Sequence, residues 1–357
     1  MPGERALPWE PAARPPGVAT DAIMRVFRVP PEAAGMRADC FLSLQLRNTS
    51  RSRAKRIVQR SAYDSEGKPM RASDRLRAED RIVLWRAPFE ERDTAPETLG
   101  VVFEDEHLLV IDKPPAIAVH PTARHHHITV IKLLEVERPG EFLSLIHRLD
   151  RETSGLLLVA RSREADRAFK RLLEERSRRE AASAPPIRPR AESRAPVSKV
   201  YLAITEGRPS DGVIDLPVEA DPDNPLRVKM RVARRGSGLE AKTGVRVIAT
   251  TQTHALVECQ LFTGRQHQIR IHLSATGHPI VGDKLYGKDE RLLARAADGV
   301  LTDEDLRELE LPRHALHAHR YVLPHAVTGE TLRLTSPLPP DLEEFWTRSS
   351  LPSTDAH

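Results

Sequence analysis

The chain of 357 residues contains only two cysteines, Cys40 and Cys259, and aromatic residues make up 4% of it. Two isolated cysteines argue against a disulfide framework, and they do not have the spacing of a metal site. No apolar run is long enough to span a membrane, and the first residues lack the apolar core of a signal peptide. We therefore expect a cytoplasmic protein that makes no membrane contact.

Neither sign of charge dominates the sequence. Lysine and arginine number 55 against 51 aspartates and glutamates, which gives a net charge of +4 and a pI near 9.2. This mild excess is compatible with a polyanionic partner but does not require one, so the clustering of arginines is more informative than their number. The length allows two domains and a sizeable core.

Residues 147–160, HRLDRETSGLLLVA, join a charged half to an apolar half. The continuous apolar run from residue 155 predicts a strand that is buried on both faces. In the charged half before it, Asp150 lies between Arg148 and Arg151. A charged loop at the mouth of a buried strand can hold a carboxylate at the edge of a cleft. The alternative is a surface ion-pair loop in front of a core strand.

The pattern HRLD-x-x-TSGLLL-x-A in this segment resembles the signature of the RluA-type RNA pseudouridine synthases. Residues 199–203, KVYLA, are similar to the Lys-x-Tyr-x-Ala motif of that family, and residues 263–272, TGRQHQIRIH, to its third motif. The resemblance runs from about Val101 to Trp346. It implies an isomerase that converts uridine in RNA to pseudouridine. Because this reaction is redox-neutral and adds nothing, it needs no cofactor, and we expect no metal.

The same resemblance implies that Asp150 is the catalytic carboxylate, by attack on the sugar, attack on the base or proton abstraction that yields a glycal. Arg270 is implied as its partner, because a neighbouring guanidinium lowers a carboxyl pKa that burial raises. Tyr201 would offer an aromatic face to the uracil and a hydroxyl for proton relay. The residues that we expect to bind the substrate are His147, Arg148, Arg265, Gln266 and His267.

Each of these roles has a structural alternative. Tyr201 could be a core tyrosine, Arg270 a member of a helix-surface ion pair and His147 a hydrogen-bonding core residue. For Arg148 we expect a place in the space that an extruded nucleotide leaves. Two other functions also fit a chain of this kind. A binding protein without activity would be expected to lack one of the catalytic residues, and a nucleoside hydrolase would need a second carboxylate opposite Asp150.

Residues 25–88 predict a small unit of two helices followed by a hairpin, which resembles the RNA-binding module of the ribosomal protein S-four type. Phe41, Leu42 and Leu44 are expected on the buried side of the first helix. In the second helix, which residues 48–50 would cap, three arginines recur at a spacing of three and four residues. A basic stripe of this kind predicts phosphate contacts, although a solvated face is the alternative. The three arginines are Arg53, Arg56 and Arg60.

We therefore predict an α+β protein with a pseudouridine synthase-like catalytic domain on a large, mainly antiparallel, curved sheet, preceded by a small α/β RNA-binding domain. We expect a monomer that acts on ribosomal RNA or transfer RNA. A helix is predicted from Thr263 to Gly277, and His125, His126 and His127 predict a solvated loop. The predicted segments are a disordered 1–24, the RNA-binding domain 25–88, a linker 89–99 and the catalytic domain 100–350, with a disordered insertion at 177–196.

Overall fold

A computed structural model of the chain describes residues 14–19, 22–46, 49–86, 98–121, 128–182, 197–224, 229–234, 236–289, 291–298 and 301–351. The chain divides into two compact units: Met1–Arg92 with Asp221–Lys229, and Asp93–Ala220 with Met230–His357. The three adjacent histidines and residues 183–196 lie outside the described part. Within that part, no helix has both the length and the apolar character needed to cross a membrane.

The first unit combines two short helices with a three-stranded antiparallel sheet of order β1-β3-β2. Its elements are β1 (Ile23–Arg28), α1 (Ala38–Gln45), α2 (Arg51–Ser61), β2 (Ala62–Tyr63) and β3 (Arg81–Arg86). Ser50 caps α2 as expected, because its Oγ accepts a hydrogen bond from the backbone N of Arg53 at 3.3 Å. The apolar side chains of α1, α2 and β3 form one core, which includes Phe41, Leu42, Ala54, Val58 and Ile82.

Two expectations for this unit are wrong. Leu44 is 70% exposed, because two residues along a helix turn a side chain about 200° away from buried Leu42. Ile23 and Met24 were assigned to the disordered N-terminal segment, yet both belong to β1. They pair with Arg86 and Trp85 on β3, which provides hydrogen-bond partners for their backbone groups. The local sequence gives no sign of this pairing, because β3 lies about 60 residues further along the chain.

The second unit is built on a ten-stranded sheet with helices outside it. The strands of the sheet are β4 (Gly100–Glu104), β5 (Leu108–Lys113), β6 (Ser144–Leu145), β7 (Ser154–Ala160), β8 (Ser198–Glu206), β9 (Gly212–Asp215), β12 (Lys242–Thr250), β13 (His254–Leu261), β14 (Leu316–Pro324) and β15 (Thr331–Thr335). A separate pair consists of β10 (Val218–Ala220) and β11 (Met230–Val232). The helices are α3 (Val130–Glu137), α4 (Arg163–Ala182), α5 (Gln268–Ala275), α6 (Arg291–Asp298), α7 (Asp303–Leu309) and α8 (Pro340–Ser350).

The sheet has the order β4-β5-β7-β14-β8-β13-β12-β9, with β15 beside β14 and β6 beside β7. Among the described strands, β7 and β14 pair in parallel and the other pairs are antiparallel. The predicted α+β class with a large, mainly antiparallel sheet is thus confirmed. Every residue of β7 is buried, as the apolar run indicated. This strand is therefore a rigid base for the charged loop before it.

Two predicted boundaries are wrong in this unit. The helix expected from Thr263 begins only at Gln268, because His267 has a left-handed φ of 57° that interrupts regular helix. The side chain of Gln268 instead accepts hydrogen bonds from the Thr263 hydroxyl and the Arg265 backbone N, at 2.8 and 3.0 Å. Helix α4 continues to Ala182, so residues 177–182 of the expected insertion are helical.

Gly155 allows the close parallel approach of β7 and β14. Its φ is +102°, and a Cβ at this position would lie 2.3 Å from the carbonyl oxygen of Ala318 on β14. An L side chain would therefore meet both an unfavourable backbone conformation and a backbone clash.

We expect Gly155→Ala to lower the free energy of unfolding by about 2 kcal/mol or more, from strain and overpacking together. Urea denaturation followed by circular dichroism measures this loss. Gly264→Ala is the matched control, because no atom lies within 4 Å of a Cβ built there. Equal unfolding midpoints for the two variants would contradict this account of β7.

Candidate active site

Asp150 lies in the loop between β6 and β7, and buried Lys113 anchors that loop. Lys113 ends β5 and its Nζ donates hydrogen bonds to the carbonyl oxygens of Pro114, Ile117 and Arg151, at 2.8, 3.0 and 3.1 Å. Burial lowers the pKa of Lys113 to about 7. The lysine therefore ties the backbone next to Asp150 to the end of a core strand.

Arg270, on the first turn of α5, joins two carboxylates. Its Nη1 donates to Oδ2 of Asp150 at 2.8 Å, while its Nε and Nη2 donate to the two oxygens of Asp283 at 2.7 and 2.8 Å. Oδ1 of Asp283 also accepts hydrogen bonds from the backbone N of Leu285 and Tyr286. The expected contact of Asp150 with Arg270 is therefore present, and Asp283 sets the plane of the guanidinium that makes it.

The charges around Asp150 keep its carboxyl group ionised at neutral pH. Burial by itself raises the pKa of Asp150, but the charges of His267 and Arg270 lower it to about 2. Burial also lowers the pKa of the Arg270 guanidinium, while Asp283 and Asp150 raise it well above its usual value. The side chain of Asp150 is 27% exposed, so the ionised group remains accessible from outside.

The second oxygen of Asp150 faces the imidazole of His267. The distance from Asp150 Oδ1 to His267 Nε2 is 3.7 Å, and Nδ1 of the ring is 2.8 Å from the hydroxyl of Tyr286. Burial lowers the pKa of His267, so its ring is neutral at pH 7 and carries a charge only in the acid range where Asp150 titrates. The left-handed backbone at this residue directs the ring, so the feature that shortens α5 also places His267 beside Asp150.

Tyr201 lies on β8, and its hydroxyl is 2.8 Å from that of Tyr321 on β14. Burial raises the pKa of Tyr201 to about 12, so the group is a neutral phenol at physiological pH. The rings of the two tyrosines are tilted, with centroids 6.2 Å apart. Tyr201 is thus held by a strand and by a neighbouring hydroxyl.

The other predicted binding residues are not gathered as closely around Asp150. His147 Nε2 accepts a hydrogen bond from the backbone N of Leu158 at 3.2 Å, and its ring packs against Tyr321. Arg265 donates through Nε to the Glu240 carbonyl at 3.0 Å. Arg148 and Gln266 are exposed.

Two acidic residues near the site had no assigned role in the sequence analysis. Asp283 belongs to a family-like block, HPIVGDKLYG, which was its only local signal. Glu152 accepts from Lys284 Nζ at 2.9 Å and from the backbone N of His314 at 3.3 Å. These bonds connect the Asp150 loop to distant segments. No sequence pattern indicates such contacts, because the partners are far apart along the chain.

The contacts of Asp283 and Glu152 argue against the alternative function of a nucleoside hydrolase. Such an enzyme needs a second carboxyl group that faces the substrate opposite Asp150. Asp283 and Glu152 are bound to Arg270 and Lys284, and their side chains are 0% and 15% exposed, against 27% for Asp150. Neither is available as the second acid.

Comparison with known proteins identifies the family of the chain. Residues 107–275 match the family model described as RNA pseudouridylate synthase. The chain is 34% identical over 332 residues to the ribosomal large subunit pseudouridine synthase D of Xanthomonas campestris pv. campestris, covering 91% of this chain and 92% of the relative. The chain belongs to the RNA pseudouridylate synthase family. It is therefore an isomerase that acts on RNA.

Further relatives extend the same similarity. The ribosomal large subunit pseudouridine synthase D of Neisseria meningitidis serogroup B is 34% identical over 326 residues, which cover 88% of this chain and 79% of the relative. The solved structure of Human RNA Pseudouridylate Synthase Domain Containing 4 is similar with a TM-score of 0.51 at 28% identity, covering 70% of this chain and 92% of that chain. The family membership therefore rests on both sequence and fold.

We expect Asp283→Asn to destabilise the second unit by about 3–5 kcal/mol, because it leaves the buried Arg270 guanidinium with one carboxylate instead of two. Urea denaturation of the purified variant measures the loss. Glu135→Gln is the control, since it breaks the exposed pair with Lys132 and should cost less than about 1 kcal/mol. If both variants unfolded at the same urea concentration, Asp283 would not be the support of Arg270.

Proposed function

We propose that the protein isomerises uridine to pseudouridine in ribosomal RNA of the large subunit, with Asp150 as the catalytic carboxylate. The observation that carries this proposal is the Asp150 carboxylate on Arg270, whose other donors are bound to Asp283. The choice of RNA follows similar relatives from several bacteria, which are named ribosomal large subunit pseudouridine synthase D. Transfer RNA is the alternative substrate.

The reaction breaks the bond from the anomeric carbon to uracil nitrogen and forms a bond from the same carbon to carbon five. The proton of carbon five is lost, and the freed nitrogen takes up a proton, so no electrons are exchanged. Asp150 is ionised, and Arg270 donates to its Oδ2, which leaves Oδ1 facing His267 at 3.7 Å. Oδ1 is therefore the oxygen that we assign to attack on sugar or base, or to proton abstraction.

Tyr201 supports this chemistry as a neutral phenol. Its ring would stack on the uracil while the base turns, and its hydroxyl could pass a proton to or from Tyr321 at 2.8 Å. Arg148 is exposed and lies two residues before Asp150 in the chain. Its side chain could fill the gap left by the flipped nucleotide. His147 would act through Tyr321, against which it packs, while Arg265, Gln266 and His267 would bind the substrate.

We further propose that the first unit is an RNA-binding module of the ribosomal protein S-four type. Arg56 and Arg60 are exposed on α2, and Arg53 is half-buried there. A groove of about 470 Å³ is lined by Arg37, Lys55, Gln59, Met70, Arg71, Ala72 and Ser73. Such a concentration of basic side chains around a groove suits a phosphate backbone.

Asp150→Asn should abolish pseudouridine formation, because it preserves the size of the side chain but removes the charge and the nucleophile. Arg270→Lys should retain more activity than Arg270→Ala, since lysine restores a charge but not the planar donor set. Release of tritium from carbon-five-labelled uridine in ribosomal and transfer RNA transcripts measures the reaction.

Asp289→Asn provides the matched control for this test, because Asp289 pairs with Arg291 and Arg295 away from the proposed site. It should react at the wild-type rate. Tritium release by Asp150→Asn at the wild-type rate, on an RNA that the wild-type protein modifies, would overturn the assignment of Asp150. Release from transfer RNA alone would overturn the assignment of ribosomal RNA.

Replacement of Arg53, Arg56 and Arg60 together by alanine should weaken RNA binding and flatten its salt dependence. Each lost phosphate contact should reduce the slope of log affinity against log salt by about 0.7–0.9. Filter binding at several salt concentrations measures the slope. The control changes three exposed arginines of the second unit, Arg291, Arg307 and Arg333, to alanine. Identical slopes for both triple variants would show that α2 makes no special contact.

A further inference from the structure

Lys199 lies beside the tyrosine pair of the proposed active site. It precedes Tyr201 by two residues on β8, so both side chains leave the same face of the sheet. Its pairing partner on β14 is Tyr321, and its Nζ lies 5.3 Å from the centre of the Tyr321 ring. Tyr321 is hydrogen-bonded to Tyr201, the residue expected to hold the uracil. Lys199 is therefore separated from Tyr201 only by the Tyr321 side chain.

Arg176 brings a second positive charge to the same place from α4. Its Nη2 donates to the carbonyl oxygen of Leu261 at the end of β13. Its Nε is buried and has no hydrogen-bond partner among the described residues. Leu261 follows Gln260, which pairs with Val200 between Lys199 and Tyr201 on β8, so the hydrogen bond to Leu261 brings the guanidinium close to both residues.

The two cations are poorly compensated within the described part of the chain. Lys199 takes part in no hydrogen bond or salt bridge there, and burial together with the charge of Arg176 lowers its pKa to about 7. Glu180 is the carboxylate whose charge reaches Arg176, but it forms no salt bridge with it. Two half-buried like charges are unfavourable because both lose hydration and they repel each other.

We propose that Arg176 and Lys199 form an anion site for a phosphodiester of the RNA strand next to the target uridine. A phosphodiester carries a permanent negative charge on two free oxygens, which matches the free Nε–H of an arginine and the point charge of a lysine. The linkages on either side of a uridine are attached to its own ribose. A phosphate bound by Lys199 and Arg176 would lie close to Tyr201. An RNA strand whose target uridine is at Asp150 could therefore reach this site with a neighbouring linkage.

This inference rests on the proposed function, since it assumes that RNA enters this site. The competing ligand is a uracil oxygen, which becomes anionic only after the glycosidic bond breaks. The unreacted base is neutral and offers no charge to offset two cations in the resting complex. The structure therefore favours the phosphodiester, and the two ligands differ in whether the contact exists before the reaction.

The test is a thermodynamic cycle that combines a change in the protein with a change in the RNA. The protein change is Lys199→Met, and the RNA change is one methylphosphonate, a neutral linkage, immediately 5′ or 3′ of the target uridine. Binding is measured in the Asp150→Asn background so that the RNA is not turned over. We expect one of the two neutral linkages to weaken binding to the Lys199-containing protein roughly tenfold. The same linkage should have a smaller effect on Lys199→Met, because only Arg176 then remains to contact the phosphate.

Lys132→Met is the matched control, because Lys132 lies on α3 in an exposed pair with Glu135. It should keep the full loss caused by the neutral linkage. Arg176→Gln provides a second cycle, which should give the same result as Lys199→Met if the two residues share one phosphate. Thermal melting checks folding, and loss of a poorly compensated cation should not lower the melting temperature of either variant.

Additive losses in both cycles, at both linkages, would overturn the phosphate site. Additivity together with a lowered kcat and an unchanged KM for Lys199→Met would assign the cations to the uracil instead. Tritium release by the otherwise wild-type enzyme on the unmodified RNA is measured in parallel. If that RNA reacts and the losses are additive, the phosphate site fails alone. If no ribosomal or transfer RNA reacts, the proposed function fails with it.

Discussion

The Arg270 guanidinium shared between Asp283 and Asp150 is the interaction on which the rest of the site depends. A buried carboxylate would normally take up a proton, and a buried guanidinium without partners would be too costly to retain. Asp283 is held by two backbone N–H groups and accepts hydrogen bonds from Nε and Nη2 of Arg270, so it fixes the guanidinium that contacts Asp150. Asp150 therefore remains ionised although most of its side chain is buried, and its Oδ1 is left facing His267.

The fold supplies the rigidity that this arrangement requires. Strand β7 lies in the middle of the sheet, and Gly155 lets it approach β14 more closely than a side chain would permit. Lys113 and Glu152 then fix the loop before β7 through hydrogen bonds and a salt bridge to other segments. Polar contacts thus hold the loop, and apolar packing holds β7. Asp150 is therefore attached to backbone that is fixed on both sides.

Charge is distributed unevenly around the two sides of the site. On the Asp150 side, the charged groups of Arg270 and Lys284 each have a carboxylate within hydrogen-bonding distance. The positive charges there are therefore compensated by the protein itself. On the Tyr201 side, Lys199 and Arg176 have much less compensation in the described residues. In the proposed complex, a neutral phenol and two cations would face the polyanionic substrate. In the proposed reaction, this asymmetry would separate the reacting carboxylate from the groups that hold the substrate.

The sequence by itself determined the buried strand β7, the charged loop before it and the contact of Asp150 with Arg270, because local patterns and family motifs carry that information. It also indicated α2 and its serine cap. The exposure of Leu44 follows from the helical repeat, which turns it about 200° away from Leu42, so the error there was one of local reading. Only the tertiary structure decided where α5 begins and that residues 23–24 form a strand. The roles of Asp283 and Glu152 also emerged only there. These features depend on contacts between residues distant in the chain and on one left-handed residue, and neither leaves a local pattern that can be read in advance.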